Sequence, residues 1–240
     1  MLRNLFRSYW DLPRMIHMLI MLEFTLSLIH VAFILVLNIF LRKQGFSDPE
    51  IASFNSLRFI GALIFAFPLG IYIRGKKLKP FFLLAAIVVP ITSALIIESV
   101  HNETIPLIKL SFLLWGVGMM LMRVCSLPFI IRNTTQDNST EALSLSASTW
   151  SLATIFSGII ISGLDWINYY SFGSWIIYFN ERNILWIITI LGISAIIFAL
   201  RITEKAPDNI QKDSTVFSLY KQYDWKVIIK ALSPLIMISI

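Results

Sequence analysis

Three charged residues lie inside long apolar segments of this chain: Glu23, Arg58 and Arg123. Charged side chains are expensive to place within a bilayer, so they mark proton relays, solute pathways or buried ion pairs. Glu23 is nine residues after Arg14, and Arg123 is nine residues before Arg132. At a rise of about 1.5 Å per residue, both lie about 13–14 Å from the corresponding helix ends. This matched depth predicts that the two side chains meet, either as a ligand-binding or proton-coupling pair or as a structural pair.

Other polar residues in the same segments have more than one interpretation. Arg58 can face a central cavity and attract an anionic group, or it can extend to the lipid headgroups. For His30 and Asn38, hydrogen bonds between helices are favoured over ligand contact. Glu98 and Asp165 lie near segment ends and are expected to be solvated. The candidates for lining a cavity or coupling proton movement are therefore Glu23, Arg123, Arg58, His30 and Asn38.

Six long apolar segments, separated by short polar loops, position these residues. Each segment is near or above the ~17–25 residues that a helix needs to cross a bilayer core. Hydrophobic residues make up 57% of the chain and charged residues only 14%, against about 25% charged in soluble domains. A backbone in hydrocarbon must satisfy its own hydrogen bonds, so these segments must be helical. The sequence predicts an all-α membrane protein, a six-transmembrane-helix bundle over 15–41, 50–73, 81–97, 106–131, 142–164 and 183–200.

Lysine and arginine are concentrated in every second loop. Of the 20 basic residues, 14 fall in the N-terminal tail, the 74–79 loop, position 132 and the stretch 201–230. Only four fall on the opposite side. The positive-inside rule then predicts a cytoplasmic N-terminus in a cell membrane of the bacterial inner-membrane type. Because the net charge of +6 follows this topology, we expect a lipid bilayer as partner and no nucleic acid.

Metal, cofactor and enzyme chemistry have little support in the sequence. The single Cys125 excludes a disulfide within the chain, and the three histidines are scattered at different depths. No cofactor or metal is therefore expected. A six-helix intramembrane enzyme is the least favoured alternative, because no Gly-x-Ser-x-Gly, Glu-Glu or His-x-x-x-His pattern is present.

The segments divide the chain into three regions. Residues 1–201 form the predicted six-helix bundle, and the polar, mixed-charge residues 202–227 predict a cytoplasmic linker. The apolar run at 228–240 predicts the start of a seventh helix that is too short to span a bilayer. Between helices five and six, the aromatic residues of 165–181 predict an anchor at the outer interface.

This layout resembles the N-terminal half of a major facilitator superfamily transporter. Residues 70–77, Gly-Ile-Tyr-Ile-Arg-Gly-Lys-Lys, stand where that family carries Gly-x-x-x-Asp-Arg-x-Gly-Arg-Arg. Here Arg74 replaces the acidic residue, and the second glycine comes two positions early. Residues 128–135 and the serine-rich helix five look like the corresponding junction of some bacterial members. The resemblance implies a cytoplasmic gating loop with the candidates Gly70, Arg74, Gly75, Lys76 and Lys77.

The resemblance implies secondary active transport of a small solute by the rocking of two six-helix halves. Substrate would bind between the halves near the bilayer midplane. One half supplies only one wall of that site, so the implied partner is a missing C-terminal half or another copy of this chain. We therefore expect the 240 residues alone not to transport. The alternative is a truncated, non-transporting membrane protein.

Overall fold

The computed structural model describes residues 9–136, 138–170 and 180–204. All regular secondary structure in these residues is helical, and six helices are long and apolar enough to cross a membrane. The predicted six-helix, all-α architecture is thus confirmed. Numbered in chain order, the helices are α1 Arg14–Lys43, α2 Asp48–Tyr72, α3 Lys79–His101, α4 Ile105–Asn133, α5 Ser139–Tyr170 and α6 Glu181–Arg201.

Local sequence explains where some helices begin and end. The carboxylate of Glu50 accepts hydrogen bonds from the backbone N–H and the hydroxyl of Ser47, at 2.9 and 2.7 Å. The residues Ser47, Asp48 and Pro49 predict a helix start, with Ser47 or Asp48 as the cap. The contact between Glu50 and Ser47, with Pro49 in the first turn, confirms that start and places the cap at Ser47. The predicted end of helix five is wrong: α5 continues to Tyr170, because residues 164–170 contain no glycine or proline to stop it. Thus residues 165–170 are helical rather than loop.

Two helices depart from regular α geometry. Within α1, residues Phe33–Leu37 form a π-helical turn between two α-helical stretches. Such turns often lie at functional sites. Helix α6 consists of two pieces, Glu181–Gly192 and Ala195–Arg201. The predicted linker from 205 onwards and the predicted seventh helix lie outside the described residues, as do residues 171–179 of the aromatic loop.

The packing of the helices repeats after three helices. Helix α1 packs against α5 and α6, while α4 packs against α2 and α3. If α1, α2 and α3 are taken as equivalent to α4, α5 and α6, the α1–α5 contact corresponds to the α4–α2 contact, and α1–α6 corresponds to α4–α3. The α1–α4 and α3–α6 contacts each correspond to themselves. Because three helices make an odd number of crossings, the second unit enters the membrane from the opposite side. The bundle therefore has the contact pattern of an inverted three-helix repeat.

Close packing of backbones occurs where α2 crosses α4. A Cβ atom added at Gly116 would overlap the carbonyl oxygen of Arg58, and one added at Gly61 would overlap that of Leu113. In α5, by contrast, Gly158 and Gly163 have open space where a Cβ would lie. Small residues permit close helix approach in membranes. Among the described glycines, the tight contacts with a neighbouring backbone therefore lie between α2 and α4 and not in the serine-rich α5.

The two ends of the bundle are closed by polar contacts. At one end, which we call the basic end, the 73–78 loop meets the ends of α4 and α6. At the opposite end, Lys43 binds Glu181 at 2.6 Å and Arg182 binds Glu98 at 2.7 Å. The indole N–H of Trp186 also donates to Glu98, at 3.1 Å. The side chain of Glu98 is 41% exposed, in line with the expected solvation, and α6 also brings two donors to it at the end of α3.

Candidate functional site

A cavity of about 590 Å³ opens between α1, α4 and α5, in the half of the bundle nearer the basic end. Its volume falls within the range of about 300–1,000 Å³ typical of ligand sites. The wall combines aliphatic, methionine and tryptophan side chains with a few polar ones. The polar lining residues are Glu23 and Ser27 of α1, Arg123 and Ser126 of α4, and Ser146 and Thr149 of α5.

Glu23 joins the three helices that form this cavity. Its side chain is only 8% exposed, so its oxygens need partners inside the protein. The hydroxyl of Ser126 donates to Oε1, and the hydroxyl of Ser146 donates to Oε2 at 2.7 Å. One carboxylate thus connects α1 to α4 and α5 by hydrogen bonds.

Arg123 faces the same cavity as Glu23 but does not pair with it. The ion pairs formed by the described residues include none between these two side chains. Instead, the guanidinium of Arg123 lies over the ring of Trp150, 5.3 Å from its centroid, and the residue is exposed. The structure therefore brings the two predicted residues to one cavity without a direct salt bridge, because two serines already satisfy the carboxylate.

A stack of aromatic rings continues from this cavity through the middle of the bundle. His30 lies between Trp150, at 4.9 Å between centroids, and Trp115, at 5.1 Å. On Trp115 lies the guanidinium of Arg58, 5.4 Å from the ring centroid. The stack thus has Arg58 at one end and Arg123 at the other.

His30 does not make the predicted hydrogen bond between helices. Its Nδ1 is buried without a hydrogen-bond partner among the described residues, as is Nε1 of Trp115. Aromatic packing holds the ring instead. Arg58 is half-buried against Trp115 and Phe59, so it does not extend freely to the headgroups.

Asn38 makes the predicted hydrogen bond between helices. Nδ2 of Asn55 in α2 donates to Oδ1 of Asn38 at 3.1 Å, which links the ends of α1 and α2. Both residues line a smaller cavity near the end opposite the basic one, next to the ion pair between Arg42 and Asp48. Asn38 is thus separate from the Glu23 cavity.

The predicted gating-loop residues lie at the basic end. Gly75 adopts φ +67°, a left-handed conformation that suits glycine, whereas Gly70 is an ordinary exposed helical residue. Lys76 places Nζ over the Tyr72 ring at 3.1 Å. Arg74 and Lys77 are exposed. The loop is held in place by its backbone, since Arg132 donates to the carbonyl of Lys76 at 2.8 Å.

The carboxylate of Glu204, just after the C-terminal end of α6, contacts this loop. Glu204 accepts hydrogen bonds from the backbone N–H groups of Leu78, at 2.7 Å, and Lys79, at 3.1 Å. These groups lie at the start of α3, where free N–H donors and the helix dipole favour a negative charge. Lys79 in turn donates to the carbonyl of Leu200 at 2.8 Å. The loop therefore receives an acidic partner although its own sequence lacks one.

We expect Glu204→Ala to loosen the basic end while the rest of the bundle stays folded. The amides of Leu78 and Lys79 should exchange hydrogen faster, and stability should fall by about 1 kcal/mol, the usual effect of losing a helix cap. Asp165→Ala, at an exposed position on α5, is the matched control. Unchanged exchange at Leu78 and Lys79 would contradict this role for Glu204.

Several residues of the site were not predicted from the sequence. Ser126 and Ser146 bind Glu23, and Trp115 and Trp150 form the aromatic stack. The serine-rich composition of α5 signalled packing but did not distinguish Ser146 from its neighbours. Tryptophan within an apolar helix is equally compatible with core, lipid or ligand contact, so its role required the tertiary structure.

Compared with protein-family models, with curated proteins and with solved structures, the chain matches none. Its six apolar helices define a multi-pass α-helical membrane protein. Any function therefore has to be argued from the cavity and its surroundings.

Proposed function

We propose that this chain forms one half of a secondary transporter of the major facilitator type, which carries a small solute through the Glu23–Arg123 cavity. Arg123 is the observation that carries this proposal. Its charged side chain is exposed about ten residues, or about 15 Å, from the end of α4. A guanidinium at that depth is strongly disfavoured in hydrocarbon. The face that presents Arg123 therefore meets water or another protein surface rather than lipid.

The arrangement of the helices supports a two-bundle transporter. An inverted three-helix repeat occurs within each six-helix half of major facilitator transporters, and the contacts of this bundle repeat in the same way. In the most apolar 18 residues of α2 and α5, only 11% and 17% are buried, against 39% to 61% in the other four helices. These two helices are equivalent under the repeat. We assign their exposed faces to contact with a second six-helix bundle across the solute pathway.

Accessibility of the cavity to water tests the proposal. Ser27 lines the cavity and is half-buried, so a cysteine placed there should react with a charged thiol reagent. In a transporter, the cavity opens alternately to both sides. In vesicles from native cells, which supply any second half, reaction should therefore occur in right-side-out and in inside-out preparations. Leu84→Cys, on an exposed part of α3, is the matched control and should stay unreactive within lipid.

The outcomes of this experiment separate three cases. Reaction of the Ser27→Cys variant from both sides supports transport. Reaction from one side only contradicts alternating access, and no reaction from either side contradicts a water-filled pathway. The buried native Cys125, which is 0% exposed, should contribute little background.

We further propose that the basic end faces the cytoplasm, as the distribution of lysine and arginine indicates. In intact cells, a membrane-impermeant thiol reagent should label Asn102→Cys, at the end opposite the basic one, but not Lys77→Cys. Both positions are exposed. After the membrane is made permeable, both variants should react. Labelling of Lys77→Cys alone in intact cells would reverse the orientation.

A further inference from the structure

Three of the four hydroxyl groups in the cavity wall are already engaged as donors. A hydroxyl group has one hydrogen to donate. Those of Ser126 and Ser146 go to Glu23, and that of Thr149 goes to the carbonyl of Ser146 at 2.6 Å. Ser27 makes no hydrogen bond with the described residues. The donors left for a ligand are therefore the Ser27 hydroxyl, the indole N–H of Trp150 and the guanidinium of Arg123.

Arg123 can bind only a ligand group that accepts hydrogen bonds. A guanidinium has five N–H groups and no acceptor, and it binds carboxylates through two parallel hydrogen bonds. The guanidinium carbon lies 5.3 Å from the centroid of the Trp150 ring. Arg123 makes no hydrogen bond with the described residues, so its N–H groups remain available to an oxyanion. No carboxylate in the part of the chain that the structure describes fills this position.

The rest of the wall is largely apolar. Leu26, Met119, Met122, Leu127, Ile130, Leu143 and Ala147 line it together with Trp150. A polyhydroxylated solute would find few free donors here, and its hydroxyl groups would lose hydrogen bonds to water. A ligand with an apolar body gains from burial against these side chains. The wall thus requires a solute that is charged at one end and apolar at the other.

The surrounding charges limit the ligand to a single negative charge. Arg58 and Arg123 lie at opposite ends of the aromatic stack, and only Arg123 lines the cavity. Glu23, however, lies on the cavity wall itself and would repel the second charge of a dianion. The cavity wall therefore offers one cation, Arg123, for one carboxylate.

We propose that the cavity binds a small organic monocarboxylate, with its carboxylate on Arg123 and its apolar body against Trp150 and the neighbouring aliphatic side chains. This inference names the substrate class of the site and rests on the proposed function. Recognition depends on the donor edge of Arg123, so the anion and the apolar body are both required.

Equilibrium binding of radiolabelled benzoate to the 240-residue chain in lipid nanodiscs tests the proposal. We expect saturable binding that unlabelled hexanoate displaces and that benzamide, glucose and inorganic phosphate do not. Arg123→Gln should weaken benzoate binding at least tenfold, and Arg123→Lys should be intermediate because it keeps the charge but not the paired donors. The matched control is Lys109→Gln, an exposed cation on the same helix that does not line the cavity. Circular dichroism and gel filtration establish that each variant is folded.

Three results would overturn the proposal: no saturable binding of benzoate or hexanoate to the folded chain, equal competition by benzamide, or binding that survives Arg123→Gln. Uptake of labelled benzoate by the native cells, which supply any second half, is compared with and without the gene and separates this inference from transport. Binding without gene-dependent uptake would support the ligand class but count against the transport function. Gene-dependent uptake of a neutral solute, without binding of either carboxylate, would support transport and overturn the ligand class.

Discussion

Gly116→Ala should destabilise the bundle more than alanine at Gly118, Gly158 or Gly163. Its new methyl group would overlap the backbone carbonyl of Arg58, and a helix backbone cannot move aside as a side chain can. Forced overpacking costs about 1–3 kcal/mol, and more where the obstacle is rigid. Gly61→Ala should act similarly through the carbonyl of Leu113. Separation of α2 from α4 would also displace Arg58 and Trp115 from the aromatic stack.

Thermal unfolding followed with a thiol-reactive dye measures this effect, because the single cysteine, Cys125, is buried in the folded protein. Gly158→Ala and Gly163→Ala have open space for the methyl group and should unfold near the wild-type temperature. Gly118→Ala should be intermediate, since the atoms it would meet are side-chain carbons of Val88 and Val89, at 3.0 Å. Equal melting of Gly116→Ala and Gly158→Ala would show that the α2–α4 contact is looser than described.

Glu23→Lys should prevent stable folding. The substitution replaces an acceptor of two serine hydroxyls with a cation that can only donate. It also adds positive charge to a cavity wall that already contains Arg123. An uncompensated buried charge costs about 3–5 kcal/mol. We expect aggregation or loss of the monodisperse peak in gel filtration.

Glu23→Gln separates loss of charge from loss of shape. Its amide oxygen still accepts a hydrogen bond from a serine, and a hydrogen bond between helices in a membrane contributes about 0.6 kcal/mol on average. This variant should fold with only slightly reduced stability. Asp165→Lys, at an exposed position on α5, is the charge control and should behave as wild type. A well-folded Glu23→Lys variant would mean that Glu23 is not held by Ser126 and Ser146.

Glu23 and Arg123 lie at the predicted level of the bundle, but they do not form the predicted pair. Counting residues along two helices placed both side chains at the same level, and the structure has them on one cavity wall. Depth does not specify the direction in which a side chain points or the partners that neighbouring helices supply. Ser126 and Ser146 satisfy the carboxylate, while Trp150 holds the guanidinium. The direct ion pair is absent for that reason.

The sequence by itself determined the six spans, their helical nature and the depth of each charged residue. These properties depend on local hydropathy and on the rise of a helix, and neither requires knowledge of which helices touch. Local signals also predicted the start of α2, because Ser47, Pro49 and Glu50 act within one helical turn. The end of α5 was missed, since nothing in the sequence from 164 to 170 marks a stop.

Only the tertiary structure decided which side chains share a site. Contacts between α1 and α5 or between α2 and α4 join residues far apart in sequence. The rotation of each helix about its own axis determines which face is buried. Apolar residues surround most of these helices, so hydropathy alone cannot specify that rotation in a bilayer. This rotation produces the close crossing at Gly61 and Gly116 and the aromatic stack around His30. It also leaves the N–H groups of Arg123 free.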